Sequence, residues 1–405
     1  MPNFNYKVKT ETGKVLTGEV KIESEHELRR ILEEKGYKVV DIVEKTPLTD
    51  ISEIKLFQKR VKINDLAIFC RQFAIVLEAG VPIAQSLEVL KLQTTNPTLK
   101  RRISDIYDDI QKGIALSSAF RKHEDIFPEF LINMVEAGEI SGQLDLVFQR
   151  VASYFEKQSK LNSKIRGALA YPIVVCIIAV LVVVVLMIGV VPQFIEVLES
   201  FGTELPVITK ILVSVSTFFK RFWYLMLLAL IALVVFIAAY RKTREGKLFF
   251  GKLLISIPII KNLTRNIITA RLTRTLGTLM ASGVLLIQSM EVVAKVIGNA
   301  VIENKMMDAI EEIKKGRGLT APILAMKYFS PLLISMIRIG EESGNLDFAL
   351  DKAADFYDQE VETSVQQLTS IIEPLLIVFL ALTVGFIVVS VLYPMFTLYD
   401  TLIEI

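Results

Sequence analysis

Between Gly167 and Ile195 the chain carries no charged residue. The centre of this run, YPIVVCIIAVLVVVVLMIGVVP, is β-branched and aliphatic almost throughout. A hydrocarbon layer about 30 Å thick is crossed by about 20 apolar residues in a helix, because a helix satisfies its backbone polar groups from within. The run is long enough, and it shows none of the polar face that a buried helix of a soluble protein carries at this length. Two further runs meet the same test. Phe222–Tyr240, FWYLMLLALIALVVFIAAY, opens on aromatics suited to a membrane interface, and Pro374–Leu392 reads PLLIVFLALTVGFIVVSVL. The sequence therefore predicts membrane-spanning helices over 167–195, 222–240 and 374–392.

Three spans use only part of the 405 residues. The chain is 52% hydrophobic and 22% charged, with a mean hydropathy of +0.48. That is high for a soluble protein and low for one buried wholly in lipid, so substantial aqueous domains are expected. The net charge of +2 supplies no field that would favour nucleic acid as a partner. Local charge is more informative. Lys157, Lys160, Lys164 and Arg166 precede the first span, and Arg241, Lys242, Arg244, Lys247 and Lys252 follow the second. Between them lie Lys210, Lys220 and Arg221, set against Glu196, Glu199 and Glu204. Cytoplasmic flanks carry the cationic excess. Both basic flanks are thus expected in the cytoplasm, with 196–221 an external loop and 393–405 a short external tail. Within that loop VITKILVSVSTFFKRF is amphipathic and suited to lie along the membrane surface. The opening MPNFNYKVKTETGK has no apolar core of the secretory kind, so the N-terminus is expected to stay in the cytoplasm.

The chain also repeats itself. AGVPIAQSLEVL (79–90) aligns with SGVLLIQSMEVV (282–293) at an offset of 203, with six identities in eleven positions from Ala79 to Val89. Arg71 falls on Arg274, Glu88 on Glu291, and KGIAL on KGRGL. After Pro128 and Pro331 the offset is 202. GEISGQLDLV then falls on GEESGNLDFA, Pro172 on Pro374 and Pro192 on Pro394. Each copy is a unit with apolar residues at helical spacing, feeding a span. The expected fold is an all-α membrane protein. It has two homologous cytoplasmic helical bundles of about six helices each (61–166 and 241–373), three transmembrane helices, and a small N-terminal module. In that module (1–45) YKVKT and LTGEVKI alternate about a turn at ETGK, SEHELRRILEEKG carries a capping box closed by Gly36, and YKVVDIVEK alternates again. This predicts β-β-α-β, followed by a polar linker at 46–60.

The twice-written phrase invites a structural reading first. Two glycines end one helix at Gly138 and allow a tight turn, Ser141 caps the next, and Asp145 sits in a first turn where negative charge suits the dipole. Glu136, Glu139, Glu341 and Glu342 are harder to explain by capping. They suit a solvated acidic face, a partner-docking patch or a divalent-cation site, although no EF-hand or facial-triad spacing supports the last. Arg71, Glu88, Arg274 and Glu291 either pair within each bundle or face a partner. Cys70 and Cys176 read as small buried hydrophobes, and His26 and His123 lack companions at zinc-ligand spacing.

No phosphate loop, dinucleotide fingerprint or nucleophile elbow occurs, so no enzyme class and no cofactor is indicated. A transporter would carry ionisable groups or broken helices inside its spans, whereas the first two spans hold no ionisable group. Two bundles joined to spans suit a scaffold with partners on and in a membrane. The segment Lys164–Pro192 resembles the signature of the inner-membrane platform proteins of type II secretion and type IV pilus systems. Lys164, Tyr171, Pro172 and Pro192 stand where that pattern requires them, and the duplicated GExSGxLD phrases resemble the family's repeated domain. The second copy departs in having Glu373 before its proline. The resemblance implies a non-enzymatic protein of the bacterial cytoplasmic membrane, commonly a homodimer. It would be set in the lipid bilayer among other inner-membrane assembly proteins, engaging a hexameric assembly ATPase and pilin or pseudopilin subunits. A competence-pseudopilus version of the same platform, and a small-solute permease, are the alternatives.

Overall fold

In a computed structural model of the chain, residues 3–9, 15–22, 24–34, 36–44, 60–200 and 207–403 are described. The predicted turn at ETGK, nearly all of the 46–60 linker and the centre of the loop between the first two spans lie outside the described residues. The N-terminal segment holds strands β1 (Asn3–Lys9), β2 (Val15–Lys21) and β3 (Lys38–Glu44) in an antiparallel sheet of order β2-β1-β3. Helix α1 (Glu25–Glu34) starts where the Glu27 N–H donates to Ser24 Oγ, and its Leu28 and Leu32 pack on Phe4 and Val8.

The two copies fold alike. The first comprises α2 (Ile63–Glu78), α3 (Ile83–Gln93), α4 (Pro97–Gln111), α5 (Leu116–Arg121), α6 (Glu129–Ser141) and the start of α7 (Leu144–Val185). After α7 a π-turn (Leu186–Val190) leads into α8 (Val191–Ser200), then α9 (Val207–Tyr240) and α10 (Arg244–Ser256). The second copy is α11 (Pro258–Ala281), α12 (Leu286–Val296), α13 (Ala300–Lys314), α14 (Thr320–Ala325), α15 (Pro331–Ser343) and the start of α16 (Leu346–Ile403). Helices α3 and α12, and α4 and α13, keep the same bounds at an offset of 203, while α6 and α15 keep theirs at 202. The missing residue is absorbed ahead of α15, where no helix has to change length.

A buried asparagine shapes each copy. Asn96 Oδ1 accepts the N–H groups of Thr98 and Leu99 (3.1 and 3.3 Å), and Asn299 Oδ1 those of Val301 and Ile302 (3.0 and 3.3 Å). Each caps a helix with donors left over at its first turn. The same side chain then donates outward, Asn96 to Asp65 (2.8 Å) and Asn299 to the Gly251 carbonyl (3.0 Å), tying α4 to α2 and α13 to α10. The cores differ in composition. The first gathers Phe69, Phe73, Phe120, Phe127 and Phe148, whereas the second is built from Leu, Ile and Met around Leu276, Met306 and Leu333. Leu279, Val284 and Val292 of the second copy pack into the first core, so the two bundles share a buried apolar seam.

Three helices are long and apolar enough to cross a membrane, contained in Leu144–Phe194, Thr209–Tyr240 and Leu346–Leu392. One expectation changes. The amphipathic stretch after residue 206 is not a separate surface piece, because α9 runs unbroken from Val207 to Tyr240 with no glycine or proline to stop it. At 34 residues it is about 50 Å long, more than a bilayer core requires. The segment after Leu392 is helical: α16 continues to Ile403, since Pro394 deletes one N–H and the turns around it carry on.

Replacing Asn299 with Ala removes a cap and strands two buried backbone donors. The purified protein is expected to lose about 1–3 kcal/mol of stability. Asp at this position, which keeps the acceptor but not the donor to Gly251, should recover part of that loss in thermal unfolding.

Candidate functional site at the junction of the repeats

The duplicated phrase resolves into separate physical tasks. Its glutamate caps a neighbouring helix rather than its own. Glu139 Oε1 accepts the Leu116 N–H (2.5 Å), and its Oε2 accepts the Ser117 N–H (3.0 Å) and hydroxyl. In the second copy Glu341 receives Leu319 N–H (2.7 Å), Thr320 N–H (3.0 Å) and the Thr320 hydroxyl (2.5 Å). A carboxylate at a helix N-terminus satisfies leftover donors and meets the positive end of the dipole. Both oxygens of both side chains are engaged in this way.

The glycines divide the rest. A Cβ on Gly138 would lie 3.0 Å from Val147 Cγ2, and one on Gly340 would lie 2.9 Å from the Leu346 Cα. The first glycine of each phrase thus admits the close approach of the next helix. It lies inside α6 or α15 and does not end it, contrary to expectation. The stop is the second glycine, Gly142 or Gly344, with φ of 70° and 73°. Those are left-handed values that glycine adopts at little cost. Ser141 does not cap α7. Its hydroxyl donates back to the Gly138 carbonyl (3.4 Å), and Ser343 does the same to Gly340 (3.5 Å).

The matched arginines pair within their own copies, but not with the matched glutamates. Arg71 on α2 grips Glu156 on α7 through Nε and Nη2 (2.8 and 2.7 Å) and also donates to Ser153. Arg274 on α11 takes the corresponding Asp358 (2.7 Å) and adds Asp355 (2.8 Å) and Asp351 (3.1 Å), all on α16. Only 8% of the Arg274 side chain is exposed, against 33% for Arg71. Glu291 pairs with Lys314 (3.2 Å) and Glu136 with Arg121 (2.8 Å). Glu88 and Glu342 are exposed and form no ion pair among the described residues.

These side chains surround the junction of the two copies. A cleft of about 490 Å³ opens between α2 and α7 on one side and α11 and α16 on the other, lined by Arg71, Lys157, Arg274, Asp351 and Phe348 among others. Lys157 reaches across it to Asp355 (3.2 Å), the carboxylate that Arg274 also holds. One helical stretch further on, Lys164 pairs with Glu362. Both pairs join α7 to α16, so the two long helices run side by side towards the membrane. Tyr154 shares a hydrogen bond with Thr275 (3.0 Å), and Arg150 donates to Ser282 (3.1 Å), adding cross-links from α7 to α11. Among the other signature residues, Tyr171 is exposed where α7 becomes apolar, as suits an interface tyrosine, while Pro172 is buried.

The electrostatics follow the geometry. Hydrogen bonding to Arg71 holds the Glu156 carboxyl below its ordinary range. Burial would raise Asp355 and Glu341, yet donors outweigh it in both. Arg274 and Lys157 lower the first, and Thr320 with two backbone N–H groups lowers the second. The thiol of Cys70 is pushed up by burial, so it stays a thiol.

Comparison with known proteins bears on what this junction serves. The family model described as type II secretion system (T2SS), protein F, matches residues 69–192 and again 272–394, and the model for that protein's N-terminal domain matches 1–43. The type IV pilus assembly protein PilC of Thermus thermophilus is 36% identical over 404 residues, covering 99% of each chain. The PilC protein of Myxococcus xanthus is 34% identical, covering 98% of this chain and 94% of its own. The type II secretion system protein F of Vibrio cholerae is 30% identical, covering 97% and 98%.

Two outcomes are expected. Arg274→Gln leaves three carboxylates clustered around a buried amide and should cost about 2–4 kcal/mol. Arg71→Gln loses one half-exposed pair and should cost under about 1 kcal/mol, both read by thermal unfolding of the purified protein. The second outcome concerns pH. Because the folded state lowers Glu156, Asp355 and Glu341, their stabilisation is complete above the ordinary carboxylate range near 4–4.5 and fades as the pH drops through the lowered values. Unfolding measured from pH 7 to pH 3 should show this acid limb, and Glu341→Gln should make it shallower.

Proposed function

The chain belongs to the type II secretion system protein F family, and on that footing we propose that it is a non-enzymatic inner-membrane platform of a fibre-assembly machine. It carries movement from a cytoplasmic hexameric ATPase to pilin or pseudopilin subunits in the membrane. The relatives named for type IV pilus assembly are the more similar of those compared, which favours the pilus machine over the secretion machine.

One observation carries the mechanism: each repeat ends in a helix that leaves its bundle and becomes a span without a break. Helices α7 and α16 hold 42 and 58 residues, or about 63 and 87 Å of continuous rod. Apart from Pro172 and Pro374 at the membrane entry, each rod is an unbroken helix from bundle to span. A push on the bundles therefore tilts or rotates the spans. The pairs Lys157–Asp355 and Lys164–Glu362, with the Arg274 cluster, hold the rods together so that they move as one. The platform itself needs no bond-making chemistry for this task.

The partner surfaces follow from what the fold leaves unused. Glu88 and Glu342, exposed and unpaired among the described residues, are the candidates for contact with the motor, whereas Arg71, Arg274, Glu139 and Glu341 work within the fold. The cationic flanks at Lys157–Arg166 and Arg241–Lys252 support a cytoplasmic place for the N-terminal module and both bundles, with the C-terminus outside. A second copy of the chain is the expected companion in the membrane.

Deleting the chain in its own bacterium should abolish surface fibres while the membrane pool of pilin persists, and the intact chain should restore them. A Gly-Ser-Gly-Gly insertion after Arg166, which loosens the first rod, should fail to restore fibres although the protein reaches the membrane at normal abundance. Normal fibres with the insertion would refute the lever. A solute-uptake defect with intact fibres would point to a permease.

A further inference from the structure

The helical run that ends each repeat carries one proline at the membrane entry, Pro172 or Pro374, and a second near its far end, Pro192 or Pro394. A proline has no N–H to give, so each deletes one donor from the ladder. At the second proline of the first copy the loss falls on Met187. In an α-helix its carbonyl would accept from Val191, but the π-turn sends the Val191 N–H to Leu186. In π register its carbonyl would accept from residue 192, which is the proline. In the second copy the loss falls on Ser390, four residues before Pro394. An unserved carbonyl in hydrocarbon costs several kcal/mol, so such groups find donors elsewhere.

Both donors come from α9. Ser216 Oγ donates to the Met187 carbonyl (2.6 Å), and Thr209 Oγ1 donates to the Ser390 carbonyl (2.9 Å). Thr209 and Ser216 are each 2% exposed. They lie seven residues apart, on one stripe of the helix, with Leu212 between them. Leu212 packs on Met187, Val191 and Ile387. Thr209, Leu212 and Ser216 are the fully buried positions among the described residues of α9; Val213, Phe219, Phe222 and Tyr240 are half-buried and the other described side chains are exposed. The most deeply buried part of α9 is therefore one short stripe, and that stripe meets the defects at Pro192 and Pro394.

We propose that Thr209 and Ser216 are positioning residues: two hydroxyl staples that seat the proline-broken spans of both repeats on the non-repeated helix α9. The seat joins the two spans to each other through α9, at the ends of the rods remote from the bundles. Each staple bonds a carbonyl that its own helix cannot serve, so neither competes with the helical ladder.

A pair of double-mutant cycles tests this on the purified full-length protein in bilayer discs, read as the rate of unfolding in denaturing detergent. Ser216→Ala and Thr209→Val are each expected to speed unfolding about three- to tenfold, the loss of one hydrogen bond between membrane helices. Ser216→Thr should restore the wild-type rate. In a Pro192→Ala background residue 192 regains an N–H that can serve Met187, and Ser216→Ala should then have little further effect. Pro394→Ala should silence Thr209→Val in the same way. Multiplicative effects in both cycles would overturn the proposal, because they would make the hydroxyls ordinary packing groups. So would an unchanged rate for the single variants. If Ser216→Ala does not accumulate in the membrane, Ser216→Cys, which keeps the volume with a weaker donor, completes the cycle.

Discussion

In hydrocarbon a backbone carbonyl without a donor is expensive, and this constraint orders the membrane half of the molecule. It makes α7, α9 and α16 helices regardless of their β-branched content, which would count against a helix in water. The same rods extend well beyond the thickness of the lipid, beginning inside the bundles at Leu144 and Leu346. Away from their prolines, where one N–H is already missing, such rods cannot bend without breaking hydrogen bonds. The continuity of the rods is thus largely a consequence of backbone chemistry.

Duplication then supplies two rods, and side chains decide how firmly each is held. The first copy anchors α2 to α7 with one half-exposed pair, Arg71–Glu156, over a core of packed aromatic rings. The second anchors α11 to α16 with three carboxylates around a buried arginine over an aliphatic core. The heavier charge cluster sits where Lys157 of the first copy also arrives. The asymmetry is therefore concentrated at the junction, where the copies must hold each other as well as themselves.

Much of this was open to reading from the chain. Spans are legible because hydropathy depends on a window of neighbours, and the repeat is legible because identity at a fixed offset needs no structure. The phrase GExSGxLD was only half readable. Its left-handed Gly142 follows from local sequence, but the task of Glu139 depends on Leu116 and Ser117, more than twenty residues upstream. A signal existed in the recurrence of Ser117 as Thr320, a hydroxyl ahead of the glutamate in both copies. Arg71 and Arg274 stood out as matched residues, yet their partners Glu156 and Asp358 match each other too, and an arginine with an acid recurring in register was the clue to join them. One element ran against expectation: the amphipathic stretch after Val207 reads as a separate surface piece by its charges, but nothing in it stops a helix, and it joins the span. The staples were beyond reach of the repeat, because Ser216 and Thr209 lie outside it.

The register of the rods shows why a single helix can serve both copies. Lys157–Asp355 and Lys164–Glu362 each join residue i of α7 to residue i+198 of α16, four short of the repeat offset of 202. The second rod is thus displaced by about one turn along the first. At that register Ser390 lies five residues beyond the position beside Met187, about 7.5 Å further from the bundles. Helix α9 runs back towards the bundles, so Thr209 lies beyond Ser216 in the same direction, by seven residues or about 10.5 Å. The two staggers agree to within two residues, a gap that helix tilt and hydroxyl reach can close. Rods aligned at the repeat offset itself would bring the two carbonyls within about 1.5 Å of the same height. One stripe of α9, with donors two turns apart, could not then serve both. The ion pairs beside the junction of the bundles and the hydroxyls of α9 therefore depend on the same displacement. A slip of the rods at one level has to break bonds at the other.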